Sequence, residues 1–525
     1  MDIPLPDIDS ARHGPVDGLG VPLLLALTLL CAISALYRLR KGGMPLPPGP
    51  YQLPLIGNMH QTPMKNPWTR YREWHKVYGP IMSLRYGQKT IILLGTHKAV
   101  RDLLNKRGEI YSSRPHMICA GDCLSKGYST ALLPYGDTWK VHRSIQTAVL
   151  NPQISQKYRP IQEVESRQLL NEILDNNGFV PSFHRFALSV TFTLAYGKRL
   201  RHSGEPEIQE ADELTRMLAT TVQSFLGSML EAYPFLNHLP RCLAPWKKTG
   251  DVYFERVNSF FARSMMAGEK AESWNWAKEA IKRNAAGELD SRQLSYAIGF
   301  LIEASTDTTS TVLEVFVMAM VLFPSVAARA QKELDTVVGP NRLPTFEDMP
   351  NLPYINALVK EALRWRPVTP LGFPHAPLED DEYMGYRIPK GTAVFATHWG
   401  VDLDSDVFGD PHEFRPERWL EKASLPAAAF GFGRRMCPGQ YLARNSLLIV
   451  TAQVLWSFDI SHAYENGRKV EIDPWNMVHE LVSGPAALKA SMKVRSPQHR
   501  QIIEQEWAAA EKDERVHLAR IQPES

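Results

Sequence analysis

From residue 290 to residue 323 the chain holds one long apolar stretch, Asp290 followed by SRQLSYAIGFLIEASTDTTSTVLEVFVMAMVLF, and it stops only at Pro324. Asp290 or Ser291 offers a helix cap, and the proline marks the other end. About 34 residues of helix span roughly 50 Å, enough to cross a whole domain. The stretch is apolar on most sides, which is the pattern of a buried helix. A membrane span is the alternative. Glu303, Asp307 and Glu314 interrupt the middle, and ionisable groups there are costly in lipid. Acids buried near the centre of a core helix point instead to a site. A helix of this length needs one large body around it.

The rest of the sequence agrees. No repeat, low-complexity stretch or linker separates 51 from 495. Helical spacing recurs at 160–175, 206–232 and 325–338, while strand-like runs are short. IMSLRYG and TIILLG, 81–95, read as a hairpin, and a second extended region is expected around 370–398. The fold class is mainly α with a small β portion. Lys plus Arg number 59 against 56 Asp plus Glu, a net charge of +3, so no global basic field exists for a nucleic-acid partner. Residues 496–525 form a charged tail that reads as a solvated surface helix.

Residues 19–36, LGVPLLLALTLLCAISAL, carry no charge and are just long enough to span a bilayer core. Asp2, Asp7, Asp9 and Asp17 precede them, and Arg38, Arg40 and Lys41 follow. The positive-inside rule places 1–18 in a lumen and the body in the cytosol. A cleaved signal peptide fits less well, because the basic residues follow the apolar run. Residues 37–50 end in MPLPPGP, a basic stop and a proline-rich hinge. The body is then 51–495.

The five cysteines, Cys31, Cys119, Cys123, Cys242 and Cys437, are odd in number and sparse, which argues against a disulfide framework. Cys437 differs from the others in its setting, Phe430-Gly-Phe-Gly-Arg-Arg-Met-Cys-Pro-Gly439, with an apolar helical stretch after it. Neighbouring cations and helix-start amides lower a thiol pKa. Small residues let the backbone approach a flat ligand. A buried inert cysteine and a Cys–His nucleophile are the alternatives.

The stretch matches F-x-x-G-x-R-x-C-x-G, and here the chain resembles the cytochrome P450 family, whose haem-binding loop has this pattern. Chance would supply such a match on the order of 10⁻⁴ times in a chain this long. Companion motifs occur in family order. Trp139 and Arg143 give W-x-x-x-R. Residues 304–309, Ala-Ser-Thr-Asp-Thr-Thr, resemble the oxygen-activation segment, with Ser305 at the usual Gly. That departure is expected to narrow the helix groove or add a hydroxyl to it. Glu361-Ala-Leu-Arg364 gives E-x-x-R, and Phe414-Arg-Pro-Glu-Arg-Trp419 resembles the P-x-R-F segment, with Trp419 replacing Phe. The resemblance covers roughly 45–495. It implies a cytochrome P450-type fold, here preceded by one N-terminal transmembrane helix.

The resemblance implies haem b (iron protoporphyrin IX) with Cys437 as axial thiolate, which favours O–O cleavage. Arg435, Arg143, Trp139 and His375 would bind the propionates, and Phe430 would shield the sulfur. A helix-packing Trp139 and Arg143, and an ordinary turn histidine at 375, are the plainer readings. Asp307 and Thr308 would form the catalytic acid–alcohol pair that delivers protons to bound dioxygen. The plainer reading of Thr308 is a hydroxyl bonded back to the i−4 carbonyl. Glu361, Arg364 and Arg418 would form a structural ion triad. No glycine-rich dinucleotide fingerprint is present, so electrons are expected from NADPH through the separate NADPH–cytochrome P450 reductase, with cytochrome b5 as a further donor. Basic residues near the cysteine loop, Arg434 among them, would meet that acidic partner. The membrane lipid in question is that of the endoplasmic reticulum, with the body in the cytosol.

The substrate is expected to be a medium-sized hydrophobic molecule, held by the 112–135 loop and by 300–305, 368–373 and 481–483. LEDDEYMGYRIPKGT resembles fungal members of specialised metabolism, which suggests a polyketide, terpenoid or indole-type skeleton. Hydroxylation, epoxidation, desaturation and oxidative coupling all remain open. A haem-thiolate isomerase or peroxygenase that needs no reductase is one alternative. A non-catalytic haem sensor is another, though it would not need the Asp307–Thr308 pair.

Overall fold

In the computed structural model, which describes residues 44–479 and 481–521, the long apolar stretch is a single helix, Ser291–Leu322. Asp290 caps it. Its carboxylate accepts the Gln293 N–H at 2.8 Å, and the Gln293 side-chain oxygen accepts the Asp290 N–H at 3.1 Å. Two otherwise orphaned donors are satisfied reciprocally. Pro324 opens the next helix, Pro324–Val337, whose axis turns by 106°. A proline lacks the N–H that would continue the first helix. Val315 to Met320 are at most 1% exposed, so this stretch of the central helix is covered on every face, as a core helix must be.

Among the described residues no single helix is long and apolar enough to cross a membrane; the central helix and its successor pass that test only as a bent pair. The expected anchor at 19–36, with its lumenal flank 1–18, lies outside the described residues.

The central helix packs against Phe179–Tyr196, Pro245–Lys270 and Gln440–Ser457. One continuous apolar core joins these helices with Arg159–Asn176 and Pro353–Trp365. Helices stand where the spacing predicts them at 160–175 and 325–338. The stretch 206–232 divides into Pro206–Gln223 and Phe225–Ala232. Ser224 is extended there, and its hydroxyl caps the second helix by accepting the Gly227 N–H at 2.9 Å. A Cβ on Gly227 would fall 2.5 Å from the Thr221 carbonyl oxygen, so the break depends on glycine.

The hairpin forms as expected from β1 (Ile81–Tyr86) and β2 (Lys89–Leu94). The 370–398 region supplies β3 (Asp381–Tyr383) and β4 (Tyr386–Ile388), which pair with each other. It also supplies β5 (Ala393–Ala396), which lies parallel to β2 with Val394 opposite Ile92. Further on, β6 (Phe458–His462), β7 (Tyr464–Glu465), β8 (Arg468–Lys469) and β9 (Ala490–Val494) form two short antiparallel pairs, β6 with β9 and β7 with β8.

Residues 44–46 and 382–387 form a small unit of their own, in which the Arg387 N–H donates to the Pro45 carbonyl at 2.9 Å. The large unit holds the rest. Within it the proline run docks on β1, where the Ser83 hydroxyl donates to Pro47 at 2.6 Å and the Ser83 N–H to Pro48 at 2.9 Å.

The carboxyl-terminal segment corrects an expectation. It does form helices, Pro497–Ala509 and Glu514–Leu518, but not a solvated one. Ile503, Leu518 and Ile521 are fully buried in the main core, and Pro497–Ala509 packs on Arg159–Asn176. Composition hid this because three apolar side chains at wide spacing are enough to dock a charged segment.

Candidate functional site

Cys437 lies just ahead of the Gln440–Ser457 helix. Its N–H donates to the Phe430 carbonyl at 2.9 Å and closes the loop. Gly433 has φ +58°, its N–H bonds to the Asn105 side chain at 2.8 Å, and a Cβ would strike the Leu104 carbonyl. Left-handed backbone and close approach both demand glycine there. The expected lowering of the thiol pKa is corrected in its net direction. Burial pushes the Cys437 thiol up from its ordinary 9.0, against lowering by the Gly439 N–H and by the Arg143 and Arg444 guanidiniums. Desolvation wins because a charged sulfur would lose its water. The loop therefore needs a further positive centre against the sulfur to hold a thiolate.

Three arginines converge beside the loop. Arg435 stacks 4.2 Å from the Trp139 ring centre. Its Nε and Nη2 donate to the Ser112 and Leu133 carbonyls at 2.6 and 2.8 Å, while its Nη1 is buried with no hydrogen-bond partner among the described residues. Burial, then Arg114 and Arg143, pull the Arg435 pKa down to about 8. Burial lowers Arg114 to about 10, and it also lowers Arg143. Mutually repelling guanidiniums around an orphaned buried N–H describe a site shaped for an anion. Two propionates fit it, since guanidinium and carboxylate bond in matched pairs. The residues present therefore suit a haem. Bound there, it would supply the positive charge that deprotonates Cys437 and the chemistry that activates dioxygen.

The structure thus brings Trp139, Arg143, Arg435 and Cys437 together. It adds Arg114, which has no motif of its own and reaches the site from the loop expected to wall the pocket. Arg114 donates to the Ala131 and Pro374 carbonyls at 2.9 and 2.6 Å. His375 pairs its Nδ1 with the Tyr111 carbonyl at 2.8 Å, so that nitrogen carries the proton. Burial first, then Arg114, hold its pKa down to about 3. A neutral His375 offers only an acceptor at Nε2 and needs a second proton before it can donate to a propionate. Phe430 is half-buried, with Arg444 at 4.9 Å from its ring centre. Arg434 is exposed and paired with Glu109 at 2.6 Å.

On the central helix, the Thr308 hydroxyl donates to the Ala304 carbonyl at 2.9 Å. That is the i−4 back-bond, and it leaves the oxygen's lone pairs free to accept from a water. Asp307 is half-buried, with His184 Nε2 at 3.5 Å. Ser305 corrects the expectation of a groove hydroxyl, because its Oγ–H donates to Thr191 Oγ1 of the Phe179–Tyr196 helix at 2.8 Å.

Glu361, Arg364 and Arg418 are 0%, 2% and 3% exposed. Arg364 holds Glu361 in two bonds at 2.7 and 2.9 Å, and Arg418 Nε adds one at 3.0 Å. Trp419 Nε1 donates to the same carboxylate at 2.9 Å. The Trp-for-Phe departure is thereby explained: the indole supplies a donor that phenylalanine lacks. A buried carboxylate with this many partners holds the loops from Asp402 to Glu413, whose carbonyls accept from the two arginines.

A sequence profile described as Cytochrome P450 matches residues 47–488. The chain belongs to the cytochrome P450 family. Among its curated relatives, the cytochrome P450 monooxygenase FrzL of Cladobotryum sp is 47% identical over 93% of this chain and 95% of its own. The cytochrome P450 monooxygenase peniB of Penicillium patulum is 41% identical over 98% and 97%. The cytochrome P450 monooxygenase aneD of Aspergillus aculeatus is 43% identical over 95% and 98%. The protein is an oxidoreductase of this family, a cytochrome P450 monooxygenase. As such it works with a haem-thiolate group, dioxygen, a redox partner and a hydrophobic substrate.

Proposed function

We propose that this cytochrome P450 takes electrons from NADPH through a cytochrome P450 reductase and oxidises a medium-sized hydrophobic substrate of fungal specialised metabolism, from a membrane-anchored position on the endoplasmic reticulum. The observation that carries the chemistry is the half-buried Cys437 beside the Arg114, Arg143 and Arg435 cluster. In this reading the arginines and Trp139 hold the propionates, Phe430 keeps water from the sulfur, and Asp307 and Thr308 hold and move protons at the oxygen-binding face.

Two surface features support the partners. Lys140, Arg143 and Arg283 line an open cleft of about 490 Å³ together with Trp139. A basic face next to the cofactor steers an acidic reductase, an attraction that salt weakens. Tyr51, Leu55, Phe225, Phe235 and Leu243 are 76%, 82%, 71%, 54% and 62% exposed. Tyr233 links two of these segments by donating to the Leu55 carbonyl at 3.4 Å. Exposed apolar side chains of this size suit a lipid surface, and the apolar run 19–36 lies upstream of them.

The test is full-length protein reconstituted with a fungal reductase and NADPH. Reduction under CO should give the haem-thiolate band, and hydrophobic fungal extracts should give substrate-type spectral shifts and oxygenated products by mass spectrometry. Turnover that ignores removal of the reductase would overturn the reading.

A further inference from the structure

Asp307 is not alone. Glu303, Thr306 and Asp307 of the central helix line a small cavity of about 20 Å³ together with His184 of the Phe179–Tyr196 helix and Asp212 of the Pro206–Gln223 helix. Leu214, Val257, Phe260 and Phe261 close its other side, and a space of that size holds one water where two to four polar groups face it. His184 Nε2 sits 3.1 Å from Asp212 Oδ1 and 3.5 Å from Asp307 Oδ1. One imidazole thus bridges two carboxylates from two helices, and Asp212, at 40% exposure against 23% for His184 and 32% for Asp307, is the end nearest solvent.

We propose that Asp212, His184 and the water-sized cavity form the solvent-side limb of a proton path that ends on Asp307, with His184 as the positioning residue that aims the Asp307 carboxylate. The inference rests on the monooxygenase reading. Each oxygen atom inserted takes up one O2, two electrons from NADPH through the reductase and two protons, and releases one water. The His184 Nε2 proton passes to the Asp307 carboxylate, and His184 regains it from solvent through Asp212 and the cavity water. The charged groups facing His184 are Asp212 from one helix and Asp307 and Glu314 from another. Burial alone would lower the imidazole, but the Asp212 and Asp307 carboxylates override it and raise the pKa to about 9. His184 is therefore protonated at neutral pH. Glu303 and Glu314, pushed up to about 7 chiefly by burial, keep further protons close by.

The experiment uses the full-length holoenzyme with reductase and NADPH, and compares wild type with His184→Gln and Asp212→Asn. Both variants should keep the reduced CO band, consume dioxygen about tenfold more slowly, and show a larger solvent isotope effect. Wild-type consumption should fall as pH rises through about 9, and His184→Gln should lack that limb. Independently of turnover, NMR of ¹³C-labelled histidine should find His184 titrating near 9 in wild type and lower in Asp212→Asn. Unchanged consumption and pH profile in variants that keep the CO band would overturn the inference. So would a wild-type His184 titrating at its ordinary 6.5, and this last result decides the matter if the variants fail to fold. A wild-type protein with no CO band would instead overturn the function proposed above.

Discussion

Trp419 shows how much one ring nitrogen can decide. Its N–H is one of the donors that neutralise a carboxylate with no access to water. Trp419→Phe keeps one aromatic ring but removes the donor and part of the buried volume, so the expected loss is at least about 2 kcal/mol in urea unfolding. Cys437→Ala should abolish the reduced CO band, because it removes the sulfur that the resemblance assigns to the haem iron, and circular dichroism checks that the fold is kept. Glu303 gives a pH signature of its own. Its carboxyl ionises near 4.5 when unfolded and near 7 when folded. Below 4.5 both states are protonated and nothing changes. Between 4.5 and about 7 the unfolded state ionises first, so folding stability declines, and above 7 the deficit is constant. Glu303→Gln should remove the Glu303 share of that decline and leave the share of Glu314, which burial also raises to about 7, as read from melting temperature against pH. Residues such as Cys437 and Arg435 are legible in sequence because they fall in the F-x-x-G-x-R-x-C-x-G pattern, and the resemblance implies a role for each. Arg114, His184 and Asp212 are not, since each reaches its partner from a different, distant segment.

At the scale of elements, the central helix is the most legible feature of the chain. Both ends carry their own chemistry, a reciprocal cap at Asp290 and a proline at 324. Asp290→Ala should cost about 1 kcal/mol, measurable as a lowered denaturation midpoint. The break at Ser224 was less visible. A helical pattern continues across it, and the close approach of Gly227 to the Thr221 carbonyl, a local backbone geometry that apolar spacing does not report, shows why the chain turns. Strand pairing had the same limit. The hairpin of β1 and β2 is local and can be read from its turn, whereas β5 joins β2 from far along the chain and nothing near Val394 announces it.

At the scale of the molecule, the carboxyl-terminal helices belong to the core. Ile503→Ala removes a fully buried side chain of the main core, and the expected cost is about 3 kcal/mol, seen as a drop in melting temperature of the whole body rather than local fraying. A segment that looks solvated by composition docks because burial depends on a few positions, not on the average.

The parallel pairing of β2 with β5 also bears on how the chain acquires its cofactor. Gly433, in the cysteine loop, is tied to Asn105 across 328 positions of sequence. Contacts of such long range form slowly, because loop-closure entropy must be met before they give anything back. The cysteine loop and the residues suited to a haem therefore come together only after the early and late parts of the chain have found each other. Cofactor capture is expected to be a late event in biogenesis, and haem supplied during refolding should appear in the protein on the slowest kinetic phase.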